Sequence, residues 1–190
     1  MAQPAPSLLA PDRAALVVID IQGKLAESVF EPERVRRNSV LLVRAARLLE
    51  LPVVLTTQYS RGLGPMVPEV LAEAPGLEPL DKVTFGCFGS QAFCARLDEL
   101  GRDRQLLVAG MESHICVAQT VLGALARGHE VHVAADAVSS RTEANWKLGL
   151  NRMERSGAVI SSTEMAIYEL LARSDGEAFK KLLPHLRDRV

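Results

Sequence analysis

Ala14-Ala15-Leu16-Val17-Val18-Ile19, followed at once by Asp20, is the stretch whose reading decides the fold. An apolar run with no polar alternation suits a strand whose two faces are both covered. Similar runs recur at Val53-Val54-Leu55, Leu106-Leu107-Val108-Ala109, Val131-His132-Val133-Ala134 and Ala158-Val159-Ile160, with a weaker one near 80–83. Amphipathic stretches separate them. From Glu33 to Glu50, Val35, Leu42, Ala46 and Leu49 share one stripe, while Arg34, Arg37, Arg44 and Arg47 fall elsewhere. Pro32 suits a first helical turn, where its missing N–H costs nothing. Gly101, Gly128 and Gly157 are placed to end helices just before strands. The strand–helix alternation predicts an α/β fold: an open, doubly wound parallel sheet with helices on both faces.

A chain of 190 residues with 48% hydrophobic and 24% charged residues fits one globular domain. Lys and Arg total 22 against 23 for Asp and Glu, a formal net charge of -1, so no basic footprint marks nucleic acid or an acidic membrane as a partner. The apolar runs are far shorter than the roughly 20 residues that span a bilayer. The opening MAQPAPSLLAPDR lacks the basic start and apolar middle of a signal peptide, and residues 1–12 read as a loose tail. Cys87, Cys94 and Cys116 form neither an even disulfide framework nor a C-x-x-C pattern. A reduced, cytoplasmic protein that acts on a small molecule is the expectation.

In doubly wound sheets ligands bind beyond the carboxyl ends of the strands, where the strand order reverses. Asp20 closes the first run, Lys82 follows the weak third strand, and Cys116 follows the run that ends at Ala109. With strand order 3-2-1-4-5-6, Asp20 and Cys116 face one crevice. Residues 116–126 read as a helix, and a cysteine in its first turn meets free N–H groups and the positive end of the dipole. Both favour thiolate, as would a nearby lysine. The same N–H groups suit an oxyanion, and Asp20 suits the transfer of the thiol proton to a leaving group. Each residue also has a plainer role: a small buried hydrophobe, a cap and a surface charge. Their coincidence at one sheet edge is what favours chemistry.

Other candidates are weaker. Cys87 is a rival nucleophile or a pocket-lining thiol, and Cys94 is a packing residue in a helix. Trp146 is either an interface anchor or part of the core. The segment 58–68, with Gly62, Gly64, Pro65 and Pro68, is expected to lack regular structure and is either a lid over a site or an ordinary connection. No histidine precedes His114 and no pair has ligand spacing, so no metal is expected. Neither G-x-G-x-x-G nor a GK[ST] ending is present, so no cofactor is expected.

Three stretches carry a family resemblance: Val17-Val18-Ile19-Asp20-Ile21-Gln22, Lys82-Val83-Thr84-Phe85, and Gly110-Met111-Glu112-Ser113-His114-Ile115-Cys116-Val117. Together they resemble the isochorismatase-like cysteine hydrolases over about residues 12–185. The segments 58–65, 136–141 and 152–158 look like the isochorismatase-domain-containing branch in particular. The resemblance implies a three-layer α/β/α sandwich around six parallel strands, with residues 13–186 as a single hydrolase domain. It implies Asp20, Lys82 and Cys116 as a catalytic triad and a cis peptide joining Met111 to Glu112. It further implies an oxyanion hole from the N–H groups of Glu112 and Cys116. Gln22, Gln58, Phe85 and Cys87 are the expected pocket lining, and a homo-oligomer is expected. Such families hydrolyse small amides or carbamoyl compounds through a thioester. The metal-binding histidines of nicotinamidases have no counterpart before Lys82. An isochorismatase-type vinyl-ether hydrolase using Asp20 as acid, or a non-catalytic oligomeric scaffold, are the alternatives.

Overall fold

The computed structural model describes residues 8–101 and 103–187. Six strands form one sheet: β1 (Ala14–Ile19), β2 (Val53–Gln58), β3 (Leu80–Lys82), β4 (Gln105–Met111), β5 (Glu130–Ser139) and β6 (Val159–Ser161). All neighbours run parallel, in the order β3-β2-β1-β4-β5-β6. Every residue of β1, β2 and β4 is buried, which is why their sequences tolerate no polar alternation.

The helices are α1 (Pro32–Leu48), α2 (Ser60–Leu63), α3 (Pro68–Ala72), α4 (Gln91–Leu100), α5 (Ala118–Leu125), α6 (Glu143–Arg155), α7 (Thr163–Leu171) and α8 (Glu177–Arg187). Alternation along the strands divides the core in two. Leu16, Val18 and Leu107 pack with Leu42 of α1, Ile167 of α7 and Leu182 of α8. Val17, Ile19 and Val108 pack with Phe93 of α4, Val121 of α5 and Met153 of α6. Three layers result, with the sheet in the middle. Three helix starts are capped by hydroxyls: Ser90 accepts from Phe93 N–H, Thr142 from Asn145 N–H and Ser162 from Met165 N–H.

Several local expectations change. Residues 1–7 of the expected tail lie outside the described residues, but 8–12 are tied down. Leu9 is buried with its N–H on Glu169 Oε2 at 3.0 Å, and Ala10 N–H donates to Gln105 Oε1 at 2.7 Å. The segment 58–68 is not irregular throughout, because Ser60–Leu63 form a helical turn and Met66 makes an antiparallel bridge to Gln22. The reason is close packing: a Cβ on Gly23 would stand 1.7 Å from Leu63 O, so the loop is pressed onto the residues after β1. β5 runs five residues beyond Ala134, past Asp136, because that carboxylate is satisfied by Thr163 N–H and Oγ1 at 2.7 and 2.9 Å. Gly101, Gly128 and Gly157 all adopt positive φ.

His132 of β5 is 1% exposed, and neither ring nitrogen has a hydrogen-bond partner. Burial holds its pKa below the usual imidazole value, against smaller upward pulls from Glu169 and Glu130. The unfolded chain therefore binds a proton more readily than the folded one. This group's stabilising contribution is present above the unfolded pKa of about 6.5 and is lost as pH falls through the folded value. Thermal melts between about pH 7.5 and pH 5 should show a falling Tm, and His132→Leu should flatten that slope.

Candidate active site

The site is built where β1 and β4 end side by side. Asp20 leaves β1 with φ +54, a conformation that aspartate tolerates better than most residues. Gly110, paired with Ile19, has φ +125, and a Cβ there would lie 2.0 Å from Ile19 O. Only glycine lets the two backbones approach this closely. The turn after β4 thereby comes against Asp20.

Asp20 and Lys82 form a buried ion pair, Nζ to Oδ2 at 2.6 Å, with side chains 0% and 1% exposed. Desolvating both charges is tolerable only when further hydrogen bonds satisfy them. Lys82 Nζ also donates to Gln58 Oε1 at 2.8 Å, and Thr56 Oγ1 donates to Asp20 Oδ1 at 2.8 Å. Gln58 is held in turn, its Nε2 donating to Val83 O at 2.9 Å and its backbone N–H to Gln22 Oε1 at 2.6 Å.

The peptide between Met111 and Glu112 is cis. A wide turn follows over Ser113–Val117, with the N–H groups of Ile115 and Val117 both directed at Glu112 O, at 3.0 and 3.2 Å. Cys116 thus sits in this turn, before α5 rather than in its first turn. A Cβ on Gly149 would come within 2.7 Å of Ser113, so α6 packs directly on the turn. Ser140 Oγ lies 2.6 Å from Ser113 Oγ and 2.9 Å from His114 Nδ1, and Arg141 donates from N and Nε to Glu112 Oε1 at 3.0 Å each. The turn is clamped from both sides.

The Cys116 thiol lies beside the Asp20 carboxylate, close enough for its charge to act on the sulfur, which brings acid, ammonium and thiol together. The pull toward thiolate expected from the helix position is outweighed. Burial and the adjacent Asp20 carboxylate push Cys116 up to about 12, and Lys82 offsets only part of this. A buried sulfur next to a negative charge keeps its proton until a base removes it. Cys87 is fully buried, and burial pushes it up to about 11. Its backbone N–H donates to Thr120 Oγ1 at 3.0 Å, and Thr120 Oγ1 donates to Cys116 O at 2.7 Å.

The expected pocket lining divides. Gln22 is fully buried, its Nε2 donating to Gln58 O and Gly64 O at 3.0 and 2.8 Å, so its amide joins loops rather than facing a pocket. Gln58 and Cys87 are buried as well, and of the four only Phe85 is exposed. Cys94, in α4, donates to Phe88 O in the turn before the helix at 3.4 Å. Trp146 packs, with its Nε1 on Ala135 O at 3.1 Å and Arg34 4.9 Å above its ring. A cavity of about 360 Å³ beside Arg36, Arg44 and His185, and another of about 290 Å³ beside Phe88 and Arg127, are not lined by Asp20, Lys82 or Cys116. The composition of the chain did not single out Thr56, Thr120, Ser140 or Arg141. The sequence signals were the polar break Thr56-Thr57-Gln58 at the end of an apolar strand and, for Ser140 and Arg141, their place in the 136–141 segment.

This is a doubly wound α/β sandwich with a carboxylate, an ammonium and a thiol gathered at its switch point. The Isochorismatase domain model matches residues 14–165, and the chain belongs to that family. It is similar to human isochorismatase domain-containing protein 2, 37% identical over 96% of this chain and 88% of the relative. Among solved structures it is similar to the MAR1 ribonuclease of Caenorhabditis elegans, with a TM-score of 0.88 and 32% identity over 95% of this chain and 93% of that one. It is also similar to two YcaC proteins. That of Escherichia coli, an octameric hydrolase of unknown specificity, gives a TM-score of 0.90 at 27% identity over 97% of this chain and 94% of that one. That of Pseudomonas aeruginosa, solved with hexane-2,5-diol and covalent acrylamide, gives 0.89 at 28% over 95% and 92%. Among the described residues no helix is long and apolar enough to cross a membrane.

Proposed function

We propose that the chain is a cysteine-dependent hydrolase of a small amide or carbamoyl compound, with Asp20, Lys82 and Cys116 as its catalytic groups. The observation that carries this reading is the Cys116 thiol set beside Asp20, a carboxylate held by Lys82 at 2.6 Å and Thr56 at 2.8 Å. Asp20 accepts the thiol proton as Cys116 Sγ attacks the carbonyl carbon. The N–H groups of Glu112 and Cys116 receive the oxyanion. The carbon–nitrogen bond then breaks, and Asp20 returns the proton to the departing nitrogen. Water attacks the thioester, giving its proton to Asp20 and then to sulfur. The acid leaves and the thiol is restored. Lys82 keeps the carboxylate oriented and charge-balanced throughout.

The covalent acrylamide on a YcaC relative supports a reactive nucleophile in this family. The name of the worm relative carries a ribonuclease activity, but a formal net charge of -1 gives this chain little attraction for RNA phosphates. Three free thiols support a reducing, cytoplasmic setting. The octameric relative supports a homo-oligomer. A panel of small amides and carbamoyl compounds, incubated with the protein and read by intact mass, should give an acyl adduct on Cys116 together with the released amine or ammonia. Turnover with no adduct, from an enol-ether substrate instead, would favour the vinyl-ether alternative.

A further inference from the structure

We propose that Thr56 is a positioning residue for Asp20, holding the carboxylate charged and in the plane from which it takes the Cys116 proton. The inference rests on the reading of Asp20 as proton acceptor. Thr56 grips Asp20 twice: its carbonyl accepts Asp20 N–H at 3.1 Å, and its Oγ1 donates to Oδ1 at 2.8 Å. Both residues are 0% exposed, so no water competes for either bond. Lys82 occupies the other oxygen, Oδ2. One donor alone would leave the carboxylate free to turn about its Cβ–Cγ bond. Two donors on different oxygens fix the plane. A β-branched residue on a strand is itself restricted at χ1, which makes Thr56 a stiff support.

Donation from a neutral hydroxyl to a carboxylate favours its charged form. The titratable groups that face Asp20 are Lys82 at the end of β3, Cys116 in the turn after β4, and Cys87 beyond β3. Lys82 favours the carboxylate, and the two thiols are uncharged partners. Thr56 is the remaining donor on Oδ1. If Thr56 were only a buried filler, losing its hydroxyl would change stability and leave proton transfer alone.

The test follows alkylation of Cys116 by acrylamide by intact mass, between about pH 4 and pH 9, in wild type, Thr56→Val, Thr56→Ser and Asp20→Asn. Thr56→Val should move the acid limb of the rate profile up by about one pH unit, so that the rate below the limb falls about tenfold. Thr56→Ser, which keeps the donor, should return the limb to its wild-type position. A Thr56→Val profile that superimposes on wild type, while Asp20→Asn removes the limb, would overturn the role of Thr56 alone. A wild-type limb retained in Asp20→Asn would overturn the reading of Asp20 itself. Thr56→Ala carries the same expectation as Thr56→Val if the valine variant lacks the native circular dichroism spectrum.

Discussion

Cys116→Ala should abolish the covalent adduct and lower turnover of the amide substrate by about 10³-fold or more, as removal of a nucleophile does. Cys116→Ser should recover little, because a hydroxyl holds its proton more tightly than a thiol and attacks more weakly. Cys87→Ala is the internal control. Cys87 is fully buried, whereas Cys116 keeps 6% of its surface and lies beside Asp20. Activity should therefore survive the loss of Cys87, apart from a packing cost in the cavity left behind. The Cys116 pKa of about 12 sharpens the expectation for pH. With a thiol that stays protonated at neutral pH, the rate below neutrality should follow the protonation of Asp20, and loss of the base in Asp20→Asn should cost about as much as loss of the sulfur. A Cys116→Ala protein that still turns over, with activity lost only in Asp20→Asn, would mean acid catalysis without a nucleophile. Steady-state kinetics and intact mass on the same preparations separate these outcomes.

The strands were legible because a covered parallel strand has no choice but continuous hydrophobicity, and Ala14 to Ile19 could be read from composition alone. The order of strands one and four at the switch point then placed Asp20 and Cys116 at one crevice. What stayed hidden depends on partners distant in sequence. The apolar run of β5 stops at Ala134, short of the strand's end, because Asp136 interrupts it, yet Thr163 satisfies that carboxylate from 27 residues away. The 58–68 segment looks irregular because Gly62, Gly64 and Pro65 punctuate it, yet Gly23 and Gln22 pin it down. The thiol state depends on distant partners for a related reason. Helix position suggests thiolate, but burial and a carboxylate brought in from β1 outweigh it. Thr56 is an ordinary strand residue until Asp20 is placed 2.8 Å away.

Lys82→Met should unfold the protein more easily by about 3–5 kcal/mol, the usual penalty for removing one partner of a buried ion pair. Methionine fills much the same volume, so the loss is electrostatic rather than a cavity. Asp20 would remain 0% exposed, with Thr56 as its remaining side-chain donor and Gln58 Oε1 left without the ammonium it accepts from. A buried, uncompensated carboxylate relieves itself by binding a proton. The native state of the variant then takes up a proton more readily than the wild-type native state, so its deficit should shrink as pH falls. Adding Asp20→Asn to Lys82→Met should restore part of the loss, because an amide carries no charge, still accepts from Thr56 and tolerates a positive φ. Urea denaturation of the four proteins at two pH values gives the coupling energy directly. A coupling near zero would mean that Asp20 and Lys82 are held apart by water in solution, and orientation of the base by Lys82 would have to be abandoned with it.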